Sequence, residues 1–125
     1  MRRPSRPVFL NLFKIRFPVT AVMSMGHRVS GVLLFLCLPL LLYGLQLSLS
    51  SEVEYTQLTT WLQQPWLKLL LLPVLWALIH HLFAGIRFLL ADLDIAMSRG
   101  AARATAWLVQ GMVLVCLVVL AVLLL

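Results

Sequence analysis

Long apolar runs separated by short polar breaks dominate the chain. The runs cover about Val29–Leu49, Trp66–Leu90 and Ala104–Leu125. Each reaches the ~20 residues that a helix needs to cross ~30 Å of hydrocarbon. The pattern predicts an all-α integral membrane protein with transmembrane helices over about 24–49, 66–90 and 104–125. Residues 1–23 form a lead-in, and 1–125 is one membrane-anchor domain. Pro39 and Pro73 fall inside the first two spans, where membrane helices tolerate proline with a kink. Pro18 is placed to begin the first helix or its interfacial approach. From Phe9 to Phe17 apolar and basic residues alternate, as in a segment lying along the membrane surface.

Composition sharpens this reading. The chain is 62% hydrophobic and 11% charged, with a mean hydropathy of +1.02. A soluble domain carries roughly 25% charged residues, so the polar surface here is too small for a water-soluble fold. Cys37 and Cys116 sit in apolar runs without metal-ligand spacing and read as small hydrophobes.

The net charge of +6 is uneven. Six of the ten Lys/Arg lie in the first 28 residues (Arg2, Arg3, Arg6, Lys14, Arg16 and Arg28) with no acid among them. Because they lead straight into a span, they read as orientation signals rather than as a nucleic-acid surface, and no nucleic-acid partner is expected. The first loop carries Glu52 and Glu54 and no cation, whereas the second carries Arg99 and Arg103. The N-terminus and second loop are therefore expected in the cytoplasm, and the first loop and C-terminus in the periplasm. The first apolar run is longer than the 7–15 residues of a signal-peptide core and lies far from the start, so cleavage is not expected.

Two polar clusters interrupt the spans. Ser24, His27, Arg28 and Gly31 are spaced i, i+3, i+4, i+7 and share a helical face. A hydroxyl, an imidazole, a guanidinium and a glycine on one stripe suit a polar head group entering from the bilayer. They equally suit ordinary interfacial anchoring. In the second span Ala77, His81, Ala84, Gly85 and Phe88 share a face. Small residues beside a histidine leave room for a flat macrocycle, since neutral imidazole binds haem iron well. They equally suit close helix packing. His80 points about 100° away from His81 and shares its face with Trp76, Phe83, Ala84 and Arg87. Arg87 is a candidate for a haem propionate or lipid phosphate, or a snorkelling side chain.

Several segments carry a family resemblance. Arg6-Pro-Val-Phe-Leu-Asn-Leu12, Ile15-Arg-Phe-Pro-Val-Thr-Ala21 and Ser24-Met-Gly-His-Arg-Val-Ser-Gly31 resemble the N-terminal signature of the cytochrome b anchor subunit of succinate dehydrogenase. His81-Leu-Phe-Ala-Gly-Ile-Arg-Phe-Leu-Leu-Ala-Asp92 resembles that family's haem-ligand helix. The resemblance runs in order along nearly the whole chain.

It implies one of two small anchors in a heterodimeric bundle, and the lack of a long transit segment points to a bacterial inner membrane. Its partners would be a second hydrophobic anchor subunit, an iron–sulfur subunit, a flavoprotein subunit and membrane lipid. It aligns His81 with an axial ligand of haem b, the other ligand coming from the second anchor, with His80 as the alternative. Ser24 and Arg28 align with ubiquinone-binding residues. His27 aligns with a histidine near the haem propionates, where Arg28 and Arg87 are also candidates. No catalytic residue for succinate oxidation is expected on this chain, which has no nucleotide motif and no cysteine set for an iron–sulfur cluster.

Two departures stand out. Phe88 replaces a frequent histidine, and Met25-Gly26 replaces bulkier residues. Competing readings are a fumarate reductase anchor using menaquinone and a non-redox membrane scaffold.

Overall fold

The computed structural model describes residues 16–125. Arg2, Arg3, Arg6, Lys14, most of the stretch from Phe9 that is expected along the membrane surface, and the first resemblance segment fall outside them. The described chain is all-α, with four helices and no strand among the described residues. They are α1 (Val19–Ser50), α2 (Glu52–Leu62), α3 (Pro65–Asp92) and α4 (Arg99–Leu124). The helices α1, α3 and α4 are long and apolar enough to cross a membrane.

The observed helices start before the expected spans, and local chemistry accounts for the starts of α3 and α4. α1 starts at Val19 behind an extended Pro18, with no side-chain cap and no acid in its first turn. α3 starts on Pro65, where a missing N–H costs nothing. Ser98 caps α4 by accepting from the Ala101 N–H at 3.3 Å, so the helix begins before the apolar run does. Neither Pro39 nor Pro73 ends its helix.

α2 lies in what reads from hydropathy as the first loop. Ser51 caps it by accepting from the Glu54 N–H at 3.2 Å, and Glu52 and Glu54 complement the positive end of the helix dipole. No residue of α2 is buried. Its exposed Val53, Tyr55 and Trp61 suit a helix resting at a membrane interface.

The chain runs out along α1, back along α3 and out again along α4. α3 is the central element and packs against both others. The small core joins Met23 of α1, Ile79 and Ala84 of α3, and Ala106, Val109 and Val113 of α4. Most other large apolar side chains, such as Phe35, Leu40 and Val122, point outward, as lipid-facing residues do. The α3–α4 connection turns tightly, with Asp94 and Ala96 at positive φ of 59° and 61°. Left-handed backbone is ordinary for aspartate but strained for alanine.

Candidate functional site

The N-terminal half of α1 and the C-terminal half of α3 bring both histidine clusters to one end of the bundle. His27 and His81 stack with centroids 4.1 Å apart and planes 11° apart. Phe88 meets the His27 ring edge-on at 5.1 Å. The phenyl ring that departs from the resemblance therefore packs on His27.

The two neighbouring histidines of α3 have opposite environments. His81 Nδ1 lies 3.3 Å from the His27 carbonyl oxygen and 3.3 Å from Ser30 Oγ. A carbonyl can only accept, so Nδ1 carries the proton and donates. Ser30, fully buried, donates its own hydroxyl to the same His27 carbonyl at 2.9 Å. His81 Nε2 then keeps its lone pair and has no hydrogen-bond partner among the described residues. A backbone acceptor on one ring nitrogen is how proteins free the other to bind a metal.

His80 is 2% exposed. Its Nε2 faces the Met23 carbonyl at 3.3 Å, so that nitrogen is the donor. Its Nδ1 is buried and unpartnered, and Trp76 stacks on the ring at 5.3 Å. Neither nitrogen of His80 is open to an iron in this arrangement.

Glycines make this approach possible. A Cβ at residue 26 would lie 2.5 Å from His80 Nε2, and one at residue 31 would lie 3.1 Å from His81 Cε1. One at residue 85 would lie 3.5 Å from His27 Nε2, which is ordinary contact. The Gly26 departure therefore has a physical counterpart, since the His80 ring occupies the space a side chain would take.

Two of the small residues of α3 are covered by the chain's own helices. Ala77 and Ala84 are fully buried within the chain, and Ala84 belongs to the core shared with α1 and α4. Burial at those two positions fits close helix packing. Gly85, only partly buried, lies beside His27.

Ser24 is half-buried and Arg28 exposed. Arg28 heads a shallow apolar trough on the outer face of α1, lined by Val29, Val32, Leu33 and Leu36. Arg87 reaches across to α4. Its Nε donates to Thr105 Oγ1 at 3.3 Å and an Nη to the Ala102 carbonyl at 3.4 Å. Its guanidinium carbon lies 5.8 Å from the Phe88 ring centre. Two residues here carry no functional signal of their own in the sequence. Ser30 lies within the Ser24–Gly31 resemblance segment, three positions after His27, and Thr105 lies in an ordinary stretch of α4.

No group of three or more His, Cys, Asp or Glu among the described residues could hold a metal ion. His81 Nε2, held with its lone pair free, suits a metal whose other ligands come from elsewhere.

Three long apolar helices with a histidine-rich seam at one end define a multi-pass membrane protein. Residues 2–120 match the family described as succinate dehydrogenase/fumarate reductase transmembrane subunit. A succinate dehydrogenase cytochrome b556 subunit of Coxiella burnetii (strain RSA 493 / Nine Mile phase I) is 43% identical over 105 residues, 83% of this chain and 84% of that protein. One of Rickettsia felis (strain ATCC VR-1525 / URRWXCal2) is 32% identical over 123 residues, 98% of this chain and 90% of that protein. A third, from Paracoccus denitrificans, is 30% identical over 93 residues, 74% of this chain and 71% of that protein. The chain belongs to the succinate dehydrogenase/fumarate reductase transmembrane subunit family.

Proposed function

We propose that this chain is a membrane anchor of a succinate:ubiquinone oxidoreductase. In this reading it holds haem b through His81 and helps form the quinone-reduction site with Ser24 and Arg28. The observation that carries the haem assignment is the pair of contacts at His81, whose Nδ1 lies 3.3 Å from both the His27 carbonyl oxygen and Ser30 Oγ. Its Nδ1–H is committed to the His27 carbonyl and Ser30, leaving the Nε2 lone pair for iron. His80 has its Nε2 engaged with the Met23 carbonyl and its unpartnered Nδ1 buried inside the bundle, and is the poorer candidate.

A bound haem b would supply one-electron storage at its iron. The chain's own residues do the rest. Ser30 and the His27 carbonyl orient the His81 ring and make its nitrogen more basic. His27, Arg28 and Arg87 are the proposed propionate contacts. Two donors of Arg87 are engaged with α4, and its other N–H groups remain for an anion.

Quinone reduction needs two electrons and two protons. The Ser24 hydroxyl donates to a quinone carbonyl, and that bond strengthens as negative charge grows on the oxygen. Arg28 favours the same charge electrostatically, and the apolar trough below it suits an isoprenoid tail. Neither residue gives up a proton readily at neutral pH, so protons come from water or a partner subunit.

Succinate oxidation belongs to the flavoprotein and iron–sulfur subunits. A second anchor subunit would supply the further ligand that the haem needs and complete a heterodimeric bundle. The complex sits in a bacterial inner membrane, with the N-terminus cytoplasmic and the C-terminus periplasmic.

A pyridine haemochrome assay on the purified complex tests this reading. One b-type haem per complex is expected. Complex that is assembled and free of haem would favour the scaffold alternative.

A further inference from the structure

His80 belongs to neither proposed site, yet it is buried within the bundle. Its Nε2–H donates to the Met23 carbonyl, and its Nδ1 is left a buried acceptor without a partner. An unpaired buried acceptor is unfavourable, so other contacts must hold the ring in place. Trp76 stacks on it, and its Nε2, Cε1 and Cδ2 atoms would lie 2.5, 2.9 and 3.3 Å from a Cβ on residue 26. The ring therefore plugs a notch that only glycine leaves open.

The notch and the hydrogen bond are on the same turn of α1. That turn runs from Met23 to Gly26 and carries Ser24, with Arg28 one turn after it. α1 has no side-chain cap and no acid in its first turn, so tertiary contacts must fix this end. Met23 is fully buried, and its carbonyl is the backbone group that His80 grips.

We infer that His80 is a positioning residue for quinone reduction, setting the rotation and depth of the α1 turn that presents Ser24. The inference rests on the reading of Ser24 as a quinone-binding residue. His80 itself touches neither quinone nor iron.

Three variants of the assembled complex test it. His80→Phe keeps a ring for Trp76 and the notch but cannot donate, whereas His80→Gln keeps an N–H donor. Ser24→Ala reports on the quinone site directly. The expected result for His80→Phe is a quinone KM raised about fivefold, the weight of one net hydrogen bond, with kcat changed less and the haem band intact. His80→Gln returns KM toward the wild-type value. If His80 acts through Ser24, His80→Phe/Ser24→Ala is no worse than Ser24→Ala alone.

A purely structural role would instead reduce the yield of complex with an unchanged KM. An unchanged KM in His80→Phe, with a raised KM in Ser24→Ala, overturns the inference and leaves the quinone site standing. An unchanged KM in Ser24→Ala overturns the site reading and the inference with it. Loss of the haem band in His80→Phe makes His80 an iron ligand and also overturns the inference.

Discussion

Replacing Gly26 with alanine tests the seam between α1 and α3 at its tightest point. The new methyl would sit 2.5 Å from His80 Nε2, against 3.4 Å for ordinary contact, a shortfall of about 0.9 Å. If the ring swings away, the Nε2–H···O bond to Met23 breaks and a buried donor loses its partner, at roughly 1–3 kcal/mol. If the helices part instead, the overpacking cost is also about 1–3 kcal/mol. Either route gives a loss of about 2 kcal/mol. The assay is thermal unfolding of the assembled complex in nanodiscs, wild type and variant at one scan rate. Gly26→Ala should lower the midpoint by several degrees. His80→Ala in the same background removes the obstruction, so the double variant should lose at least ~1 kcal/mol less than the two single losses added. A melt unchanged by Gly26→Ala, or strict additivity, would refute the interlock.

Ser24→Ala should lower quinone kcat/KM about fivefold, and Arg28→Leu by 10-fold or more, because hydrogen bonds to charged groups contribute about 1.5–3 kcal/mol. Succinate oxidation with an artificial acceptor should stay near wild type in both, and an equal loss of the two activities would assign these residues to assembly. Arg87→Leu should loosen the start of α4 by about 1–2 kcal/mol through loss of its bonds to Thr105 and Ala102. Faster amide exchange confined to the first turns of α4 is the expected sign, with a smaller effect from Thr105→Val.

The three spans were legible because hydropathy over 20 residues is a strong and local signal. α2 was missed because its mixed composition gives no such run, although Ser51-Glu-Val-Glu54 is a capping-box pattern that marks its start. The early start of α4 was missed for the same reason. Hydropathy does not register Arg99 and Arg103 as helical, whereas the Ser98 cap does. At the site, helical spacing correctly set His80 and His81 on different faces, and contacts across the helices then gave each a different partner. The match of Gly26 to His80 was hidden because the two residues are 54 positions apart and meet only when α1 and α3 pack. The alanine stripe of α3 was ambiguous by nature, since small residues serve a ligand slot and a helix contact equally well.

The most direct test of the account is the reduced-minus-oxidised absorption spectrum of the complex carrying His81→Leu, beside one carrying His80→Phe. The free Nε2 of His81 predicts that the b-type band is lost or displaced in the first variant and retained in the second. A normal band without His81, or a band lost only when His80 is changed, would contradict it.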